Sequence, residues 1–407
     1  MHRRNIALIV AIILLAGCGA PRDHGTVVVG LEGNPSTLDP RFAVDAYATR
    51  ILPLLFERLL DTGPDGDVRP ALAVSWAVDE DARRYTFHLR GDARFSDGTP
   101  LTARDAAATL NHLRDPANKC PAGAGLDAVA SVEAPDDTTL VVTLAQPYAP
   151  LLLKMVRPVM PAASLDDADF GDYPVGGGPY RLERYERGRA IDLVRNEHYA
   201  GPAPAIERVR FEVLPNETTR MLKMRKGEID LLLNATPPYA LKHFERLPGI
   251  VVERAPGINF SYLGFNLRDE RGIVSRIEVR RAIAHAIDRK RIIDTLLAGQ
   301  ARAADGLLAP ENWAHADDLS VFDYDPAKAR ALLDEVFPDP DGDGPAPRFT
   351  LSFKTSTDRL RNRIAEVIAR QLAETGIALK NGRSSGGPFS TTSRKEIFKR
   401  FRSHGSA

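Results

Sequence analysis

Two periods of apolar and polar residues alternate along this chain, and the switches between them mark its elements. Tyr85, Phe87 and Leu89 alternate with Thr86, His88 and Arg90, the pattern of a half-buried strand. Ser96-Asp97-Gly98 then supplies turn chemistry, and Thr102 with Asp105 forms a capping box, so a helix runs from near Ala103 to before Asp115-Pro116. Residues 26–31 read as a first buried strand. Residues 48–60 carry helical spacing at Ile51, Leu54, Leu55 and Leu59, ended by Gly63-Pro64. Residues 129–132 and 140–144 read as paired strands, and 190–194 and 206–214 as two more. Asn216 caps a helix ending at Gly227, before a buried strand over 229–233. Such a strand–helix–strand unit is what an α/β lobe with covered sheets requires.

The C-terminal half reads as mostly helical. Ser275 and Glu278 form a second capping box, with Val279, Ile283 and Ile287 facing inward. Asp288 caps the next helix, Gly299 closes it, and Asp325-Pro326 starts another. Leu360, Ile364, Val367, Ile368 and Leu372 make an apolar stripe ended by Gly376. No internal repeat is present.

Composition narrows the function classes. The 407 residues carry 54 basic and 54 acidic side chains, so the net charge is zero and nucleic acid is not an expected partner. Length predicts two or three domains, and 43% hydrophobic with 27% charged residues is ordinary globular composition. At the N-terminus, His2, Arg3 and Arg4 precede an unbroken apolar run over residues 6–15, and Leu15-Ala16-Gly17-Cys18 reads as a lipobox. The expectation is a signal peptide over 1–17, a lipid on the Cys18 thiol and a tether over 18–25. The rival is a transmembrane anchor, but the run is short against the ~20 residues a spanning helix needs. Acyl chains on Cys18 would hold the domain at a membrane. Cys120 then has no disulfide partner and reads as a passive thiol.

Candidate chemistry is sparse. Asp339-x-Asp341-x-Asp343-Gly344 opens like a calcium loop, but Thr350 stands where the bidentate Glu belongs, so a solvated acidic turn is the reading. Gly176-Gly177-Gly178-Pro179 lacks the Lys-Ser/Thr pair of a phosphate loop and reads as a flexible inter-lobe turn. There is no S-x-x-K and no H-E-x-x-H, and the nine histidines are scattered singly, so no metal cage is read from spacing. His285 reads as packing or surface. No catalytic residue and no cofactor are expected. Phe260, Tyr262 and Phe265 alternate along a predicted strand; Phe265 reads as core, and the other two as either core or pocket.

Residues 84–106, R-Y-T-F-H-L-R-G-D-A-R-F-S-D-G-T-P-L-T-A-R-D-A, resemble the signature of the extracellular solute-binding proteins of the peptide/nickel class. Further blocks in the same order are similar to that family: Asn34 to Pro40, Pro70 to Trp76, Pro174 to Tyr180, the run ending at Tyr199, Gly227 to Asp230, and Gly264 through Arg289. The resemblance implies a periplasmic-binding-protein-like α/β fold of two lobes plus an accessory domain. Residues 26–66 and 173–262 would form lobe I, 67–172 the accessory domain, and 263–380 an incomplete lobe II. It implies peptide captured between the lobes for an ABC importer, with the permease subunits as partners. The chain would be a monomer on the periplasmic side of the envelope. Val44, Asp45 and Ala46 match a loop that lies against the peptide backbone in relatives, though Asp45 also reads as an ordinary loop acid. Phe260 and Tyr262 match a cleft-facing strand. Nickel chelate or heme is the alternative ligand, and a non-transporting lipoprotein remnant the alternative role.

After Lys380 the resemblance stops. Residues 381–407 hold one aliphatic side chain, Ile397, and no periodicity, so they read as a disordered basic tail. The shifted reading frame permits family-like text, including K-K-G-N-F and W-V-G, so a frameshift is the expectation. A natural tail is the alternative. An incomplete lobe II would expose a strand edge and apolar helix faces such as Leu360, Ile364 and Leu372.

Overall fold

A computed structural model describes residues 25–63, 66–257, 259–268, 271–312, 314–319, 321–342, 345–355 and 358–383. Cys18, the apolar run before it and the tail beyond residue 383 lie outside the described residues. The chain divides into two compact units between Thr236 and Pro237.

The first unit is built on one mixed and one antiparallel sheet. It contains β1 (Thr26–Leu31), α1 (Ala46–Leu55), the hairpin β2 (Leu60–Thr62) and β3 (Val68–Pro70), β4 (Ala73–Val78) and β5 (Arg84–Leu89). It continues with α2 (Ala103–Arg114), β6 (Val129–Glu133), β7 (Thr139–Leu144) and the short α3 (Leu151–Lys154). Then follow β8 (Tyr180–Glu186), β9 (Ala190–Arg195), β10 (Arg208–Val213), α4 (Glu217–Arg225) and β11 (Leu231–Leu232). One sheet has the order β11-β1-β10-β9-β8, and a second has β4-β5-β7-β6. β1 and β10 run parallel with Val29 opposite Phe211, so the apolar residues of both point to one face, where α1 lays Ile51, Leu52 and Leu55. In the four-stranded sheet Tyr85, Phe87 and Leu89 are buried beneath α2, as the alternation predicts. The α2 capping box forms as read: Thr102 accepts from the Arg104 N–H, and Asp105 accepts from the Thr102 N–H at 2.9 Å.

Three expectations for this unit change. Helix α1 stops at Leu55, because the Leu59 and Leu60 N–H groups donate to the Arg157 and Met155 carbonyls and require extended backbone. The strand over 229–233 shrinks to two residues paired with β1, and Leu231 is exposed at that edge. The triple glycine is not a flexible inter-lobe turn. Gly176, Gly177 and Gly178 are all buried, and a Cβ on Gly178 would meet the Leu54 carbonyl oxygen at 2.5 Å. Glycine is needed there because main chain packs on main chain.

The second unit holds α5 (Pro238–Phe244), α6 (Ile277–Ala286), α7 (Arg289–Leu296), α8 (Pro326–Asp334), β12 (Phe349–Thr355), α9 (Arg359–Ala373) and β13 (Ile377–Arg383). β12 and β13 pair in parallel, and their core gathers Val279, Ile283, Leu333, Phe349, Leu351, Ile368 and Leu372. Leu372 is 2% exposed and Ile364 packs against this core, so two of the three side chains expected to be bare are covered. Regular pairing continues through residue 383, past the boundary expected at 380. Asp288 and Asp325 cap α7 and α8 as read. The second capping box is not made: Ser275 donates to the Gly272 carbonyl, and Arg276 caps α6 without a side-chain bond. His285 is core packing, with Nδ1 2.8 Å from the Asp323 carbonyl and its ring edge-on to Phe322. Among the described residues no helix is long and apolar enough to cross a membrane.

Candidate functional site

The sequence-derived candidates fall in both units, and each set has its own geometry. In the first unit they sit on the loop between β1 and α1. Asp45 is the N-cap of α1, accepting from the Tyr47 and Ala48 N–H groups at 2.9 Å each, and from the Ser36 N–H and hydroxyl at 2.9 and 2.5 Å. Burial raises this carboxyl, but the Ser36 hydroxyl and the Ala48, Ser36 and Tyr47 N–H groups outweigh that and hold its pKa below the ordinary value. Both oxygens are therefore committed to shaping the loop. Val44 and Ala46 stand exposed on either side of it, Val44 at 69%.

What bolts this loop down was not legible in the sequence. Arg41 and Asp39 are 4% and 3% exposed, with Arg41 Nη2 2.7 Å from Asp39 Oδ2. Arg41 Nη2 also donates to the Asp167 carbonyl at 2.6 Å, and Nη1 donates to the Leu165 carbonyl. The guanidinium lies 5.4 Å from the centre of the Phe42 ring and 6.0 Å from that of Phe170. Opposite, a Cβ on Gly171 would meet Thr37 Oγ1 at 2.5 Å, so a glycine lets that segment close on the loop. The result is an apolar tip of Phe42, Val44 and Ala46 on a fixed base. Phe42, 41% exposed, was missed because one aromatic between two loop residues carries no periodic signal.

In the second unit Phe260 and Tyr262 lie in irregular chain, not in a strand. They are 43% and 68% exposed, with ring centroids 5.5 Å apart. Leu263 and Phe265 alternate to the other side and pack against the core, so Phe265 is core and the aromatic pair is not. Among the described residues, none of the main-chain N–H or C=O groups of 259–265 forms a hydrogen bond. A segment whose main-chain groups have no partner among the described residues, and whose two rings face outward, can accept an extended chain alongside it.

The remaining motifs are local structure. Asp341 donates its N–H to Asp339 at 3.3 Å and accepts from Ala346 at 3.0 Å, while Arg348 pairs with Asp339; Asp343 and Gly344 lie outside the described residues. Among the described residues no three His, Cys, Asp or Glu side chains are placed to hold a metal ion. Burial pushes the Cys120 thiol up, away from the thiolate form that does chemistry.

Comparison with known proteins identifies the chain's relatives. The family model for bacterial extracellular solute-binding proteins, family 5 Middle, matches residues 67–386. The probable D,D-dipeptide-binding periplasmic protein DdpA of Escherichia coli is 28% identical over 81% of this chain and 66% of its own length. The nickel-binding periplasmic protein of the same organism is 31% identical over 79% of this chain and 64% of its own length. The chain thus spans just under two thirds of these curated relatives. Among solved structures, the periplasmic binding protein DppA from Helicobacter pylori, in complex with peptide STSA, superposes with a TM-score of 0.76 at 26% identity. That match covers 88% of this chain and 73% of the other.

Proposed function

The chain belongs to the bacterial extracellular solute-binding proteins, family 5, and from that premise we propose that it is the peptide-capturing component of an ABC importer. A protein of this family binds and hands over a solute and is not an enzyme. The observation that favours peptide is segment 259–265, whose main-chain groups find no hydrogen-bond partner among the described residues, with the exposed Phe260–Tyr262 pair. A peptide main chain satisfies such groups by strand addition, and its apolar side chains meet the rings. On this reading Val44 and Ala46, with Phe42, are the first unit's own candidate ligand contacts, and Asp45 acts by holding them in place. The permease subunits are the partners, the chain works as a monomer on the periplasmic side, and lipid on Cys18 anchors it.

Calorimetric titration of the chain with a peptide library, a nickel–histidine complex and heme tests the ligand. Peptides should bind, and Tyr262→Ala should weaken them roughly tenfold, the cost of an aromatic contact of 1–2 kcal/mol. Binding of the nickel complex or heme without peptide overturns the assignment in favour of the nickel-binding relative's ligand class. Membrane fractionation of Cys18→Ser tests the anchor: the protein should leave the membrane fraction or stay unprocessed, and wild-type maturation would refute it.

A further inference from the structure

Glu57 stands where the chain crosses between the two cores of the first unit. Leu55 and Phe56 belong to the core of the five-stranded sheet, Leu59 and Leu60 to that of the four-stranded sheet. The return crossing packs against it, since a Cβ on Gly177 would lie 3.4 Å from the Glu57 Cβ. The Glu57 side chain is 9% exposed, yet among the described residues nothing donates a hydrogen bond to it, and Arg90 Nη1 is 3.8 Å away. Arg90, just past β5, is engaged elsewhere. It donates to Asp92 from Nε at 2.6 Å and from Nη2 at 3.1 Å, and Nη2 also donates to the Ala200 carbonyl at 2.8 Å.

The charged and titratable groups around Glu57 are few. Arg90 and Asp92 face it from the turn after β5, and Tyr199 from the loop after β9. Arg58, next in sequence, turns to Asp61 at 2.7 Å, and His198 lies against Gly98. Burial raises the Glu57 carboxyl to about 7, with Arg90 opposing and Asp92 adding to the rise. A buried carboxyl without a donor is a cost that the fold does not need, and an apolar residue would fill the same place.

We propose that Glu57 is a proton-operated latch at this crossing. Protonated, it leaves Arg90 on Asp92 and the Ala200 carbonyl. On losing its proton to solvent it draws the guanidinium to itself, which releases Ala200 and loosens residues 196–201 from the four-stranded sheet. The inference does not depend on which ligand the protein carries.

Amide hydrogen exchange of residues 196–201 in the full chain, corrected for the intrinsic pH dependence of exchange, tests it. Exchange should be several-fold faster at about pH 8 than at about pH 6, while Glu57→Gln, which keeps the protonated shape, should exchange slowly at both. The same pH response in Glu57→Gln as in wild type overturns the latch. A carbon-13 carboxyl titration of the unaltered chain gives an independent check. One glutamate should titrate near neutrality, and the absence of any carboxyl titrating there also overturns it.

Discussion

In the first unit the exposed tip formed by Phe42, Val44 and Ala46 rests on a loop fixed at every turn, by the Asp45 cap and by Arg41 bonded to Asp39 and to the Leu165 and Asp167 carbonyls. In the second unit Phe260 and Tyr262 ride on irregular chain beneath which Leu263 and Phe265 pack against the core. Both present apolar side chains to solvent, but one holds them by buried polar bonds and the other by alternate side chains alone. The difference teaches that exposed candidate residues owe their position to different physics. Polar ties fix a loop to a point, while alternation fixes only which side of a segment faces out.

The comparison breaks most visibly at Arg41. Arg41→Ala leaves the Asp39 carboxylate buried without its partner, so the first unit should lose about 3–5 kcal/mol in urea unfolding. A loss under about 1 kcal/mol would mean the loop is held by something else.

A pH series sharpens the contrast next. Glu57 sits at about 7 in the fold against an ordinary 4.5, through burial chiefly, with Arg90 opposing and Asp92 adding. The unfolded chain therefore gives up this proton first as pH rises. The contribution is complete below 4.5 and is lost as pH climbs to about 7, a decline of about 3 kcal/mol at ~1.4 kcal/mol per unit. Thermal unfolding should show this in the first unit's transition, and Glu57→Gln should flatten it.

Smaller effects separate the two presentations further. Asp45→Ala removes the α1 cap and should cost about 1 kcal/mol, while also weakening ligand binding because the tip loses its base. Phe260→Ala should change unfolding by no more than about 0.5 kcal/mol and yet weaken peptide binding, since its ring faces solvent. If Phe260→Ala destabilised as much as Asp45→Ala, the ring would be a core residue and the contrast would fail.

The sequence by itself determined the elements whose signals are short-range. The β5 alternation, the Thr102–Asp105 box, the caps at Asn216, Asp288 and Asp325, and the bounds of β1 all depend on residues within a turn of one another. It also carried the family, through blocks whose order no periodicity explains. Tertiary structure decided where a main-chain group finds its partner. Leu59 and Leu60 leave the α1 path to reach the Arg157 and Met155 carbonyls, and Gly178, far along the chain, takes up the Leu55 carbonyl at the helix end. Ser275 looks like a cap but bonds Gly272 instead, and Arg280 takes the neighbouring Val274 and Ser275 carbonyls. Arg41 became a clamp only when residues 165–171 folded over it. The Leu55 and Arg41 outcomes satisfy buried polar groups with whatever donor or acceptor the fold brings near, and that choice is made between segments whose separation in sequence leaves no local trace.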